Sequence, residues 1–175
     1  PSPLDFSRAV SIAISQSGQS PDVVTPIQEI KRSHAPTIAM VNVTDSPLAK
    51  SAEFLLPLHA GPEKAVAATK SFITSLYSSA LFVSHWKKDL DLISACQKLP
   101  DKLKLAQGED WNVAIEKLKN ANRIMVVGRG YGLSLALEAS LKFKETCGIQ
   151  AEAFSSAEIK HGPMALIESG YPLFV

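Results

Sequence analysis

The feature that most constrains the fold is a repeated order of short apolar runs, each followed by a loop and a helical pattern. The runs are rich in the β-branched and aliphatic side chains that are typical of buried strands. They cover residues 10–14, 37–41, 54–58 and 123–127. Strands that alternate with helices predict an α/β fold with doubly wound parallel sheets, in which ligands bind at the carboxyl ends of the strands.

Helix signals follow these runs at the expected places. Pro21 suits the first turn of a helix that continues to Lys31, and Ser20 just before it can cap that helix. A longer helical pattern extends from about residue 65 to residue 86. Residues 87–120 are charged and helical, with Pro100 and Gly108 as expected breaks, and they carry no chemical motif.

Composition excludes several classes of protein. The chain is 46% hydrophobic and 20% charged, which indicates a globular fold, and its formal net charge of +1 gives no footprint for nucleic acid. No apolar run is long enough to span a membrane, so we expect a soluble, cytoplasmic protein with no membrane partner. Cys96 and Cys147 lack the paired spacing of a zinc or redox motif, and we expect both to be reduced thiols.

The loop at residues 15–20, here called the serine loop, is the first candidate site. Its sequence SQSGQS lies between a strand and a helix N-terminus, where hydroxyl and backbone N–H groups favour an anion such as phosphate. The alternative is a serine-rich turn that caps its helix and binds nothing. The pattern of a Walker loop is absent, which argues against a nucleoside triphosphate. The glycines in GRGYG, residues 128–132, fail the dinucleotide pattern and predict a tight turn that could contact a ligand.

A second candidate site lies within residues 141–163, LKFKETCGIQAEAFSSAEIKHGP. On a helix, Glu138, Lys142 and Glu145 fall on one narrow sector, whereas Lys144 points to nearly the opposite side. The simplest interpretation is an ion pair of Glu138 and Lys142 on a solvated face. A base beside a lysine, followed by His161 in an HGP turn, is instead typical of a site that moves protons.

Five motifs together resemble the sugar isomerase (SIS) family. They are SQSGQSPD, AGPEKAVAATKSF, VVGRGYG, ALEASLKFKE and AEAFSSAEIKHGP, and they span nearly the whole chain. The resemblance is strongest to the isomerase half of glucosamine-6-phosphate synthases and to stand-alone isomerising glucosamine-6-phosphate deaminases. It implies two flavodoxin-like, three-layer subdomains: the later part of the first at residues 1–86, a helical connector at 87–120, and the opening of the second at 121–175.

The sequence begins at Pro1 and ends in a run that looks like the start of a strand. We therefore expect part of a longer chain, in which both subdomains are incomplete. The family's first strand and its glycine-serine loop would precede Pro1, and its C-terminal lysine tail would follow Val175. The 175 residues alone are then expected to be inactive.

The resemblance also implies roles for individual residues. The residues that match the substrate- and phosphate-binding positions are Ser15, Gln16, Ser17, Ser20, Val66 and Thr69, and Lys70 belongs to the same motif as the last two. Glu145 matches the acid that carries a proton between C1 and C2 of the sugar, and Lys142 matches its lysine partner. His161 matches the histidine that opens the sugar ring, with Glu158 in the same motif. Relatives draw that histidine from the other subunit, so a homodimer is expected.

These roles imply an enzyme that acts on hexose or hexosamine 6-phosphates without a cofactor or metal. The four histidines show no ligand spacing, and a lysine can handle the developing charge. The first choice is deaminating isomerisation of glucosamine 6-phosphate to fructose 6-phosphate. The alternatives are the isomerase domain of a glutamine–fructose-6-phosphate aminotransferase, a deglycase for fructosamine phosphates, and a regulator that binds a sugar phosphate without chemistry.

Overall fold

The structure, a computed structural model, describes residues 5–6 and 8–175. Residues 1–4 and 7 of the predicted segment 1–86 lie outside that description. The chain divides into two compact units, the first ending at Leu105 and the second covering Ala106–Val175, and each is considered by itself. Within the described residues, we find no helix whose length and apolar content would let it cross a membrane.

The first unit is built on a three-stranded parallel sheet in the order β1-β2-β3. Its elements are β1 (Ser11–Ser15), α1 (Pro21–Arg32), β2 (Thr37–Val41), α2 (Pro47–Ser51), β3 (Phe54–Pro57) and α3 (Thr69–Lys87). Ser15 pairs with Val41, and Val41 pairs with Pro57, so all three strands end side by side. The loops that follow them therefore meet at one edge of the sheet.

Apolar side chains cover both faces of this sheet. One core joins the sheet to α1 and α2 and includes Val24, Val41 and Leu48. The other joins Ile38, Met40 and Leu58 to Phe82 of α3. All five residues of β2, the central strand, are buried, which explains why its sequence is a continuous apolar run rather than an alternating one.

The second unit holds another parallel sheet, in the order β5-β4-β6. Its strands and helices are α5 (Asn112–Leu118), β4 (Arg123–Gly128), α6 (Tyr131–Cys147), β5 (Gln150–Ser155) and β6 (Leu173–Phe174), with short 3-10 helices at Ile159–His161 and Pro163–Leu166. The helix α4 (Leu90–Gln107) crosses the boundary between the units. α6 packs on β4 and β5, and the buried Ser140 hydroxyl donates to the Ala151 carbonyl at 3.0 Å.

The predicted α/β class with parallel sheets is confirmed, and the four predicted strands lie within a residue of their expected bounds. The expected break at Pro100 is wrong, because α4 continues through it. A proline removes one N–H from the ladder, at a cost of about 3 kcal/mol, and a long helix can bear that loss. A second difference is the start of α3, which lies at Thr69 rather than near residue 65. The carboxylate of Glu63, in the preceding loop, bonds to the first turn of the helix. One α-helix and one strand, α2 and β5, and the two 3-10 helices were not predicted.

Candidate functional site

The serine loop follows β1 at the carboxyl edge of the first sheet, as the sequence predicts. Two bonds join it to the end of β2: the Asn42 N–H donates to the Ser15 carbonyl at 3.4 Å, and the Val43 N–H donates to the Gln16 carbonyl at 3.3 Å. Gly18 is buried with φ +62°, and a Cβ at that position would stand 2.2 Å from Ser46 Oγ. Glycine is required here because both the conformation and the close approach exclude a side chain.

Several donors of this loop are left without a partner in the described part of the chain. The hydroxyl oxygens of Ser15 and Ser17 accept from the N–H groups of Gly18 and Gln19, at 3.0 and 3.3 Å, which leaves both hydroxyl protons free to donate. The backbone N–H groups of Ser17 and Ser20, and that of Asp22 in the first turn of α1, make no hydrogen bond there. Since Asp22 adds a negative charge in the first turn of α1, a phosphate would be held by neutral donors rather than by net positive charge.

Ser20 does not use its hydroxyl in the predicted way. It occupies the N-cap of α1 with an extended backbone, but its side chain makes no capping bond, and its carbonyl accepts from Val23 and Val24 instead. The expectation that Ser20 caps the helix is therefore wrong as regards the side chain. Its hydroxyl remains available for another acceptor. The buried Ser46, by contrast, accepts from the Ala49 N–H and caps α2.

The segment from Ala60 to Ala68, hereafter the 60–68 segment, follows β3 at the same edge. Asn42 holds its start: Oδ1 accepts from the Ala60 N–H and Nδ2 donates to the Gly61 carbonyl, both at 2.8 Å. At its end, Glu63 Oε2 accepts from the N–H and the hydroxyl of the buried Ser71, at 2.8 and 3.0 Å. This carboxylate caps an N–H group in the first turn of α3, and the helix begins at Thr69.

The predicted binding residues of this region lie at the end of the segment. Val66 is 92% exposed, which is unusual for a valine and leaves its side chain open to a ligand, while its carbonyl accepts from the Ala68 N–H at 3.0 Å. The Thr69 hydroxyl donates to the Ala67 carbonyl at 3.0 Å, and Lys70 Nζ donates to the Pro62 carbonyl at 2.6 Å. Lys70 thus links the first turn of α3 to the 60–68 segment. Among the described residues, it makes no hydrogen bond to the serine loop.

The charged stripe predicted on one helix is present on α6. Lys142 Nζ lies 2.8 Å from Glu138 Oε1 and 3.4 Å from Glu145 Oε2. The three side chains are 19–29% exposed, so they are neither fully buried nor spread on a solvated face. Glu138 Oε1 is buried and, among the described residues, has no hydrogen-bond partner beyond the ion pair with Lys142. The stripe therefore places one carboxylate on either side of a single lysine cation.

The two carboxylates fix the charge state of the lysine. The hydrogen bond to Glu138 raises the pKa of Lys142 above its ordinary value of 10.5, with further contributions from the Glu138 charge and from Glu145, against a smaller opposing effect of burial. Lys142 is therefore a permanent cation at neutral pH. It can stabilise a developing negative charge, and it cannot accept a proton there.

His161 and Glu145 lie at opposite edges of the second sheet. Glu145 is in the last turn of α6, which leads back to the start of β5, whereas the exposed His161 follows the end of β5 in a 3-10 helix. β5 has six residues, which span about 17 Å at roughly 3.3 Å each. The second unit of one chain therefore does not bring the two residues together, although they lie close in sequence.

The GRGYG turn is a tight connection, as the glycines predict. A Cβ at Gly128 would stand 2.2 Å from the Gly132 carbonyl oxygen, and Gly130 has φ +57°. The turn places the exposed Arg129 and Tyr131 at the carboxyl edge of the second sheet. It makes no bond to the charged stripe within the described residues.

Two residues of the first unit were missed from the sequence, Asn42 and Glu63. A polar residue directly after a buried parallel strand is a signal that could have identified Asn42, since ligands and loop contacts collect there. The carboxylate of Glu63 had no comparable signal, because its partner Ser71 is eight residues away in a pattern that otherwise predicts helix. Among residues 5–6 and 8–175, no three His, Cys, Asp or Glu side chains cluster in a way that could hold a metal.

Comparison with protein families gives one match that covers most of the chain. The family model described as SIS domain matches residues 5–85 and 117–175. Among curated proteins, an isomerizing glutamine–fructose-6-phosphate aminotransferase of Sulfurisphaera tokodaii is 39% identical over 166 residues, which are 93% of this chain and 28% of the relative.

Two solved structures show the same architecture. A proposed phosphosugar isomerase from Silicibacter pomeroyi is 40% identical with a TM-score of 0.90, covering 98% of this chain and 53% of its own. A glucosamine-6-phosphate deaminase from Thermotoga maritima is 25% identical with a TM-score of 0.79, covering 99% and 53%. The chain thus spans less than a third of the curated relative and about half of each solved chain.

Proposed function

Because the chain belongs to the SIS domain family, we propose that the protein is a sugar-phosphate enzyme that moves a proton between C1 and C2 of a hexose or hexosamine 6-phosphate. The observation that carries this proposal is the Lys142 cation held between Glu138 and Glu145. The serine loop supplies a second element, a set of neutral donors suited to the 6-phosphate.

The charge state of Lys142 decides how the work is divided. Because Lys142 stays protonated, Glu145 is the base that takes the carbon-bound proton of the open-chain sugar and returns it to the neighbouring carbon. Lys142 stabilises the negative charge that develops on the enediol or enolamine oxygen. Glu138 holds the lysine in place through its buried oxygen.

Substrate binding is assigned to the carboxyl edge of the first sheet. The phosphate would accept hydrogen bonds from Ser15, Ser17 and Ser20, with Gln16 between them. The exposed Val66 and the neighbouring Thr69 would contact the sugar. His161 would deliver the proton that opens the ring, in a homodimer where it serves the site of the other subunit. The position of His161 at the far edge from Glu145 supports that arrangement.

For an amino sugar the same transfer leads to release of ammonia. Removal of the C2 proton and its return to C1 turns glucosamine 6-phosphate into an imine at C2, and water then replaces the nitrogen to give fructose 6-phosphate and ammonia. The similarity to the Thermotoga maritima deaminase supports this first candidate. Water is the only co-reactant that this conversion requires.

A second candidate is the isomerase part of a glutamine–fructose-6-phosphate aminotransferase, and the curated relative at 39% identity favours it. The proton transfer is the same, but it runs towards glucosamine 6-phosphate and uses nitrogen that glutamine supplies. The residues described above serve both directions equally.

A pair of assays on the full-length protein separates the candidates. With glucosamine 6-phosphate alone, deamination predicts equal amounts of ammonia and fructose 6-phosphate. With fructose 6-phosphate, synthesis of glucosamine 6-phosphate that depends on glutamine supports the aminotransferase instead. Binding of both sugar phosphates without turnover in either direction would contradict the enzyme proposal and point to a regulator.

A further inference from the structure

Asn42 joins the two loops at the carboxyl edge of the first sheet. Its backbone N–H contacts the Ser15 carbonyl at the start of the serine loop, and its side chain binds both polar groups at the start of the 60–68 segment. Only one orientation of the amide satisfies both bonds, because Oδ1 must accept from Ala60 while Nδ2 donates to Gly61. The two loops are therefore fixed relative to each other.

Glu63 fixes the other end of the segment. Its carboxylate accepts two hydrogen bonds from Ser71, a residue that is only 4% exposed on α3. Charged acceptors form stronger hydrogen bonds than neutral ones, and the N-terminus of a helix adds a favourable field. The backbone between Glu63 and Ser71, which includes the exposed Val66, is thus a loop whose two ends are joined.

His59 shows how strongly this edge is constrained. It has φ +53°, a left-handed conformation that costs a non-glycine residue about 1–3 kcal/mol. Both of its neighbours are tied down, since the Leu58 N–H donates to the Val41 carbonyl and the Ala60 N–H donates to Asn42. The hydrogen bonds on both sides of His59 hold it in this strained conformation, so they fix the path of the backbone into the 60–68 segment.

We infer that Glu63, acting with Asn42, is a positioning residue that sets how the 60–68 segment meets the sugar part of a ligand whose phosphate the serine loop binds. The inference rests on the proposed function and adds a division of labour to it. Ser15, Ser17 and Ser20 determine the affinity for phosphate. Glu63 determines the additional affinity for the sugar, without touching the ligand itself.

The test compares two ligands with the full-length protein. Dissociation constants for inorganic phosphate and for fructose 6-phosphate are measured by calorimetry in the unsubstituted protein and in Glu63→Ala. Loss of the two bonds to Ser71 is expected to weaken fructose 6-phosphate binding by about tenfold and to leave inorganic phosphate within about twofold.

Three further variants make the result specific. Glu63→Gln retains an oxygen acceptor of the same reach and is expected to recover most of the affinity. Ser71→Ala, which removes one bond and favours the helix, should show a smaller loss of the same kind and guards against a Glu63→Ala protein that fails to fold. Glu53→Ala is the matched control: Glu53 is exposed, and its side chain makes no hydrogen bond within the described residues.

The outcomes separate the inference from the proposed function. Equal weakening of both ligands in Glu63→Ala, or no change in either, would overturn the positioning role. If the unsubstituted protein binds inorganic phosphate but gains no affinity from the sugar, the proposed function fails and the inference fails with it.

Discussion

Individual serines at helix N-termini have different tasks here, and the sequence does not distinguish them. Ser20 and Ser46 each precede a proline at the first turn of a helix. Only Ser46 caps its helix, because its buried hydroxyl reaches the Ala49 N–H, whereas the Ser20 hydroxyl makes no such bond. Which of the two caps depends on the side-chain rotamer, and the shared serine–proline sequence does not determine that rotamer.

This contrast predicts opposite effects of two similar substitutions. Ser46→Ala is expected to lower the free energy of unfolding by about 1 kcal/mol through loss of the cap. Ser20→Ala should change it by less than about 0.5 kcal/mol, yet weaken inorganic phosphate binding several-fold. Urea denaturation and calorimetry measure the two quantities. A Ser20→Ala protein that loses stability but keeps its phosphate affinity would show that the hydroxyl is structural.

The Lys142 cluster gives a prediction about pH. The folded state raises the pKa of Lys142 above 10.5, so the stabilisation from its ion pairs is complete below that pH and is lost only as the pH rises through the folded-state value. Lys142→Gln should therefore lower the free energy of unfolding by about 1–2 kcal/mol, partly by leaving Glu138 unpaired. The difference from the unsubstituted protein should stay constant from pH 7 to pH 10.

Lys144→Gln provides the control for that measurement. Lys144 is exposed on the same helix and forms no ion pair among the described residues. Its removal should change stability little at any of these pH values. A Lys142→Gln difference that already shrinks between pH 7 and pH 9 would mean that the lysine loses its proton near neutrality and is not a permanent cation.

At the scale of elements, the sequence predicts strands well and connections poorly. β2 is a continuous apolar run because it is buried on both faces, and its bounds are as expected. β5 was missed because Gln150 and Glu152 interrupt its apolar pattern, which reflects an edge strand with exposed positions. The start of α3 was misplaced because the carboxylate of Glu63, eight residues before Ser71, replaces the usual local cap.

Two glycines of the GRGYG turn, Gly128 and Gly132, allow a test of its geometry, because only the first is crowded. Gly128→Ala would place a Cβ 2.2 Å from the Gly132 carbonyl oxygen, so the first turn of α6 must shift. We expect a loss of about 2–4 kcal/mol in the free energy of unfolding. Gly132→Ala meets nothing within 4 Å and lies inside α6, so it should be neutral or stabilising by up to about 1 kcal/mol. Equal effects of the two substitutions would contradict this geometry.

For the whole molecule, the separation of Glu145 and His161 is the central structural constraint. The motifs that carry them are nearly contiguous in sequence, but β5 places them at opposite edges of one sheet. Sequence spacing could not reveal this separation, because the chain crosses the sheet from one edge to the other along the six residues of β5. The proposed homodimer resolves the separation by pairing each histidine with the partner subunit's carboxylate.

Mixed dimers test that proposal. Full-length Glu145→Gln and His161→Ala proteins should each be inactive. After co-refolding at equal amounts, random pairing yields hybrids with one intact site, so about a quarter of the normal activity should return. Catalysis within one subunit predicts no recovery, because neither chain then holds both groups.

The proposed function depends most directly on Glu145 as the base that moves a carbon-bound proton. The decisive measurement is the exchange of that proton with solvent, followed by NMR of fructose 6-phosphate incubated with the full-length protein in D₂O. The unsubstituted protein should incorporate deuterium at C1 of fructose 6-phosphate, whether its reaction releases ammonia or adds nitrogen from glutamine. Glu145→Gln should bind the sugar phosphate within about threefold of normal and exchange at least about a thousandfold more slowly. Deuterium incorporation by Glu145→Gln at the normal rate would contradict the assignment.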